Sequence, residues 1–308
     1  MRYGITKSIT TFQGFIDISQ REYKEIKLAR ENLFQALFIE EKFDVIIENY
    51  IDFEKELLSS GARHMLFKKY DYDWMHSEIN FINRCAVNLL TTCRLYLDQS
   101  KHHIGNIYGK NSDKVNKFTF ETEYRYDNYL GYRTMEALRN YVQHRGFPIH
   151  SGTFDIKFVD KESTSNVLFA FTPYILVSEL DKDPKFKKSI LAELKTMGEK
   201  VDIKPLIREY VECIGLIQEK IRQNMKDDLE VWEDILNQTI NMFRNEFGSE
   251  ESLMGLMIVA ETDENTYSDT TSIFTEFIDR RKELVRKNRS YENLTARYVT
   301  NEIISPAG

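Results

Sequence analysis

A mainly helical protein, built on long helices, interrupted by one β-hairpin and closed by a strand and a helix, is predicted by three features of the sequence. The 308 residues hold only 5 Pro and 13 Gly, too few tight-turn residues for a many-stranded sandwich. Apolar residues recur at spacings of three and four over several long stretches. Hydrophobic residues make up 42% and charged residues 30%, a composition that buries a core rather than remaining disordered.

The first helix is predicted over residues 20–58. Leu28, Leu33, Leu37 and Phe38 recur at helical spacing, as do Phe43, Ile46, Ile47 and Tyr50, and Ser59-Ser60-Gly61 supplies a stop. A second helix runs from about Asp73 to His103, with an apolar stripe of Ile82, Cys85, Ala86, Leu89, Cys93 and Leu97. Gly105 and the segment 109–113 read as a polar loop. The third helix spans 123–145 and buries Leu130, Ala137, Leu138, Tyr141 and Val142. Gly146 in the left-handed conformation, followed by Pro148, ends it.

The chain then changes period. Residues 154–159 alternate apolar and charged, 161–166 form a turn, and 167–177 are rich in β-formers, which is a hairpin. Pro173 marks its second strand as short or at an edge. Helices resume over 184–197 and 204–246, with Pro205 in a first turn and Gly248 as the stop. A strand over 256–260, an acidic loop over 261–269 and a helix over 272–287 complete the chain. Four regions follow: 1–150 helical, 151–180 the hairpin insert, 181–248 helical and completing the bundle, and 249–308 a C-terminal extension.

Cys85, Cys93 and Cys213 are odd in number and far apart, which suits a reducing compartment and offers neither a disulfide framework nor a zinc site. The N-terminal residues lack a signal-peptide apolar core, and no apolar run reaches the roughly 18 residues of a spanning helix. A cytoplasmic protein with no membrane partner is expected. The net charge of −7 means that any nucleic acid must be held by a local patch. The basic run 280–289 reads as the wet face of a helix that turns Phe274, Phe277, Ile278 and Val285 inward. His102 and His103 point apart on a helix and lack partners at metal-ligand spacing.

Chemistry concentrates at one helix end, Glu136-Ala137-Leu138-Arg139-Asn140-Tyr141-Val142-Gln143-His144-Arg145-Gly146. At about 100° per residue, Glu136, Arg139, Asn140, Gln143 and His144 share a polar arc. Arg139 and His144 lie about 140° apart on it, so one helix alone does not bring them into contact, whereas a second copy packed antiparallel across a two-fold axis could bring two arginines and two histidines into one cleft. Histidine in a last turn is the natural proton shuttle, arginine holds phosphate bidentately, and asparagine orients either. Cleavage of RNA by its own 2′-OH needs those groups and no metal or cofactor. Glu136 reads first as an ion pair with Arg139 and second as a supporting site residue. Arg145 reads equally as a phosphate contact and as a cation at the helix end, and His150 as a lining residue of the cleft.

Arg-Asn, three residues and His at the end of an amphipathic helix resembles the HEPN superfamily ("higher eukaryotes and prokaryotes nucleotide-binding"). The resemblance covers the helices of 20–150 and 204–247. It implies a HEPN-like helical bundle and a metal-independent endoribonuclease with its active site at a homodimer interface. It also implies a role as a toxin or antiphage-defence effector, with an antitoxin or neighbouring defence protein as partner. Arg139, Asn140 and His144 would be the catalytic set, with Glu136, Arg145 and His150 in support. A non-catalytic helical module that binds RNA, a nucleotide or a protein is the alternative. The hairpin and the C-terminal extension fall outside the resemblance.

Overall fold

A computed structural model describes residues 1–9, 12–69, 71–158, 167–263, 266–289, 292–297 and 299. It is mainly helical. In order, the described elements are β1 (Arg2–Lys7), β2 (Ile16–Ile18), α1 (Gln20–Phe67), α2 (Tyr72–Tyr108), α3 (Asp113–Asn128), α4 (Leu130–His144), β3 (Ser151–Phe158), β4 (Val167–Leu176), α5 (Val177–Asp181), α6 (Lys188–Met197), β5 (Lys200–Asp202), α7 (Ile203–Phe247), β6 (Leu256–Asp263), β7 (Thr266–Ser272), α8 (Glu276–Lys287) and a 3₁₀ turn at Leu294–Ala296. No described helix is long and apolar enough to cross a membrane.

Two compact units emerge. One comprises Met1–Lys42, Gln99–Lys117 and Lys220–Arg289, and the other Phe43–Asp98, Phe118–Glu219 and Ser290–Gly308. The first contains an antiparallel sheet of order β2-β1-β6-β7, with Ile5 paired to Ile258 at its centre. Phe34 of α1 stacks on Phe277 of α8 at 4.1 Å, and Arg222 of α7 holds the buried Glu40 with two hydrogen bonds at 2.9 and 2.7 Å. The second unit contains a sheet of order β3-β4-β5 and the whole of α4, α5 and α6.

Several predicted boundaries need correction, each for a packing reason. α1 continues through Ser59-Ser60-Gly61 to Phe67. Ser60 is buried and donates to Glu78, which also receives Arg63. A Cβ on Gly61 would stand 3.1 Å from the Phe169 carbonyl, so this glycine permits a close approach of β4 rather than a stop. Its stripe differs in part: Leu33 and Leu37 are buried as expected, but Leu28 and Phe38 are exposed, and Ile26 and Ala29 take the buried places. α2 starts where Asp71 Oδ1 accepts the Trp74 N–H at 2.9 Å. It runs past His103 and Gly105 to Tyr108 and stops at Gly109, whose φ is +91°.

The predicted helix over 123–145 is two helices. Tyr129 is extended, with φ −122° and ψ 118°, and α4 starts afresh at Leu130. The new N-terminus has no side-chain cap of its own. Instead the carboxylate of Glu209, on α7, accepts the Gly131 N–H. A Cβ on Gly131 would fall 2.5 Å from the Leu206 carbonyl oxygen, so only glycine lets α4 lie this close to α7. At the other end Arg145 and Gly146 both donate to the Tyr141 carbonyl, and Gly146 does not take the predicted left-handed conformation.

The hairpin forms as expected, from β3 and β4; the predicted turn 161–166 lies outside the described residues. One face pairs Phe154 with Phe171, Ile156 with Phe169 and Phe158 with Val167. The other pairs Thr153 with Thr172, Asp155 with Ala170 and Lys157 with Leu168. β4 is neither short nor at the edge, because β5 adds a third strand. Pro173 is tolerated because β5 pairs only with Tyr174 to Leu176 and leaves that side of residue 173 open. α7 is a single helix entered through Asp202, whose Oδ1 accepts the Lys204 N–H at 2.9 Å, and it ends at Gly248 with φ +97°. The predicted acidic loop over 261–269 is strand on both sides of residues 264–265, which lie outside the described residues. Residues 261–263 complete β6 and residues 266–269 start β7, an edge strand whose residues are exposed or half-buried apart from the buried Thr271. Residues 272–275 precede α8, which buries Phe277, Ile278 and Leu284 and turns its basic residues outward or onto Glu233.

Candidate functional site

α4 is amphipathic, and its buried side (Gly131, Tyr132, Thr134, Met135, Leu138) fixes which residues face out. Arg139 is half-buried, while Asn140, His144 and Arg145 are exposed. Asn140 and His144, together with Glu136 and Tyr141, form one wall of a groove of about 490 Å³. The other wall comes from Tyr126 of α3 and from the segment before α6, namely Asp183, Lys185, Phe186 and Lys187. Arg139 is not on either wall. Its Nη1 donates to the Asn140 Oδ1 at 3.1 Å, so it steers the amide beside it, and no described carboxylate pairs with it.

The supporting residues are placed differently from one another. Glu136 does not pair with Arg139. It accepts from the buried Tyr210 hydroxyl at 2.6 Å and from Arg94 at 3.3 Å, which ties α4 to α7 and α2. Burial drives the Tyr210 phenol far above its ordinary pKa, so it donates to Glu136 at any working pH. Arg145 is taken by Asp183 at 3.0 Å. His150 does not reach the groove wall. Its Nδ1 accepts the Leu176 N–H at 3.2 Å and its Nε2 meets the Tyr141 hydroxyl at 3.4 Å, which makes it a strut between α4 and β4. Burial lowers its pKa, keeping it neutral in that role. Elsewhere, His103 contacts Gln35 and His102 contacts Asn106. Among the described residues no three His, Cys, Asp or Glu side chains are arranged to hold a metal. The buried Cys213 thiol is pushed up to about 12 and Cys93 well above its usual value, both chiefly by burial, so neither is a poised nucleophile.

The groove is lined by two lysines and two carboxylates. Its two carboxylates are already engaged, Glu136 by Tyr210 and Arg94, and Asp183 by Arg145 and the Lys185 N–H. Lys185 and Lys187 are exposed on the far wall, and Lys187 lies over the Tyr126 ring at 4.6 Å while donating to its hydroxyl at 2.6 Å. These cations oppose the negative end of α4, which alone would repel a phosphate. The groove thus offers two ammonium groups, an amide and an exposed imidazole, a set suited to binding an anion and moving a proton beside it. Sequence reasoning missed Tyr126, Lys185, Phe186 and Lys187. The signal was present as Lys182-Asp183-Pro184-Lys185-Phe186-Lys187-Lys188, four lysines in seven residues of an acidic chain.

No protein-family model, curated protein or solved structure matches the chain.

Proposed function

We propose that the chain is a metal-independent endoribonuclease of the HEPN type, acting as a homodimer on RNA. The observation that carries this reading is the shared groove of Asn140 and His144, faced by Lys185 and Lys187 in a protein of net charge −7. His144 removes the proton from a ribose 2′-OH, the 2′-oxygen forms a bond to phosphorus, and the P–O5′ bond breaks. A second acid, the other copy's imidazole or the same one re-protonated, gives its proton to the departing 5′-oxygen. The products are a 2′,3′-cyclic phosphate and a 5′-hydroxyl. Arg139 stabilises the charge on the phosphate and Asn140 orients the reacting groups. Because Arg139 stands off the groove of its own chain, this reading requires a second α4 across a two-fold axis to supply the arginine. A cytoplasmic toxin or antiphage effector, held in check by an antitoxin or neighbouring defence protein, is the setting that the motif resemblance suggests.

The test is cleavage of mixed RNA in chelator by the wild type and by His144→Ala. A loss of roughly 10²-fold or more, with cyclic-phosphate ends on the wild-type products, is expected. Equal cleavage by both removes His144 from the mechanism. A second reading, a non-catalytic RNA- or nucleotide-binding module, draws on the lysine wall, which needs no second copy. It predicts RNA binding without cleavage that is weakened by Lys187→Ala. Binding that survives Lys185→Ala and Lys187→Ala together argues against the groove as the surface.

A further inference from the structure

We propose that the outer edge of β3 is a self-association surface, pairing antiparallel with β3 of a second copy about a two-fold axis through Ile156. Among the described residues β3 pairs only with β4, so its other edge presents unpaired backbone N–H and C=O groups. Such edges are usually blunted by proline, a bulge or a charged cluster. This one carries no proline, and no irregularity breaks its pairing with β4. From Asp155 to Phe158 it is exposed, with Ile156 at 47% and Phe158 at 57%. Two large apolar side chains on one face of an open edge call for a cover.

Its own sequence says what covers it. Placing the axis at Ile156 sets Ile156 opposite Ile156, Phe154 opposite Phe158, and Asp155 opposite Lys157 in two symmetry-related pairs. The apolar residues stay on one face and the opposite charges meet on the other. No other nearby register does this. An axis at Asp155 or Lys157 sets like charges against each other, and one between residues puts apolar side chains against charged ones. The match holds in either hydrogen-bonding phase, because a residue-centred axis preserves the alternation. The result is a continuous sheet of order β5-β4-β3-β3-β4-β5 across two chains. Five paired residues per chain form a small interface, so the association depends on concentration. It lies on the hairpin and is independent of the α4 groove and of the reading given to it.

Ile156→Cys puts two thiols on the axis, and covalent dimer formed with diamide or a short bismaleimide reports this contact alone, whatever other assembly the chain forms. The wild type sets the background, since Cys93 and Cys213 are buried and Cys85 is half-buried. Covalent dimer is expected from Ile156→Cys. Adding Lys157→Asp or Asp155→Lys should slow its formation roughly tenfold or more, and mixing the two charge variants should restore it. No dimer above background, or the same yield with and without the charge changes, overturns the proposal. Lys157 is exposed, so Lys157→Asp decides the matter alone if Asp155→Lys, which also loses the Thr172 hydroxyl bond to Asp155, fails to fold.

Discussion

Replacing Gly131 with alanine tests why α4 stands where it does. The added methyl would sit 2.5 Å from the Leu206 carbonyl oxygen and 2.9 Å from Glu209 Cβ, about 1 Å inside ordinary contact with backbone that cannot rotate away. Forcing the helices apart costs roughly 1–3 kcal/mol by overpacking. Lengthening the bond from the Gly131 N–H to the Glu209 carboxylate forfeits about 1.5–3 kcal/mol more. The better helix propensity of alanine returns roughly 0.8–1 kcal/mol. A net loss of about 2–5 kcal/mol is expected. Hydrogen exchange of peptides covering 130–144 reads it locally, and a loss at the low end already speeds exchange roughly 30-fold where α4 opens independently of global unfolding. Glu209→Gln serves as the control. It keeps the shape and an acceptor, and it should cost about 1 kcal/mol. Exchange in Gly131→Ala that matches or falls below the wild type would refute the argument that the α4–α7 approach requires glycine.

Three further outcomes are expected. Arg222→Ala leaves the carboxylate of Glu40 buried without its two guanidinium bonds, so urea titration should show a loss of about 3–5 kcal/mol; a loss below about 1 kcal/mol contradicts the arrangement. Burial lowers the folded-state pKa of His64, His103 and His150, so the unfolded chain binds more protons below its own value of about 6.5. Their contribution is therefore complete above that pH and shrinks as pH falls through the window beneath it. A urea midpoint that stays level between pH 7 and pH 5.5 would count against it. If RNA occupies the groove, Lys187→Ala should reduce the slope of log affinity against log salt by about 1, and an unchanged slope removes that lysine from the contact.

The parts of the fold that were legible in sequence are those set by periodicity. The stripe of Ile82, Ala86, Leu89 and Cys93 gave α2, and the long run to Gly248 gave α7. The alternation of 154–158 gave β3. The junctions were decided by groups far away in sequence. Tyr129 breaks a helix because Glu209, nearly eighty residues on, caps a new one. Gly61 looks like a stop but is the contact point of β4. The N-terminal strands were missed because three and six residues give little pattern, and Ile5 becomes a core residue only when β6 arrives from the far end of the chain. For the site, helical geometry set Arg139 about 140° from His144 on one polar arc, of which Asn140 and His144 line the groove and Arg139 does not. It could not reveal that Tyr210 and Arg94 occupy Glu136, that Asp183 occupies Arg145, or that lysines from another segment face the groove.

Each compact unit is assembled from three separate stretches of chain, and α1, α2, α3 and α7 each contribute to both. No single cut in the gene therefore yields either unit as a contiguous fragment. Deletion from the N-terminus removes one of the three stretches of the first unit, and deletion from the C-terminus one of the three of the second, so loss on truncation does not locate an activity in either. Point substitution, or co-expression of split halves that can reassemble, is the sound way to locate an activity in such a chain.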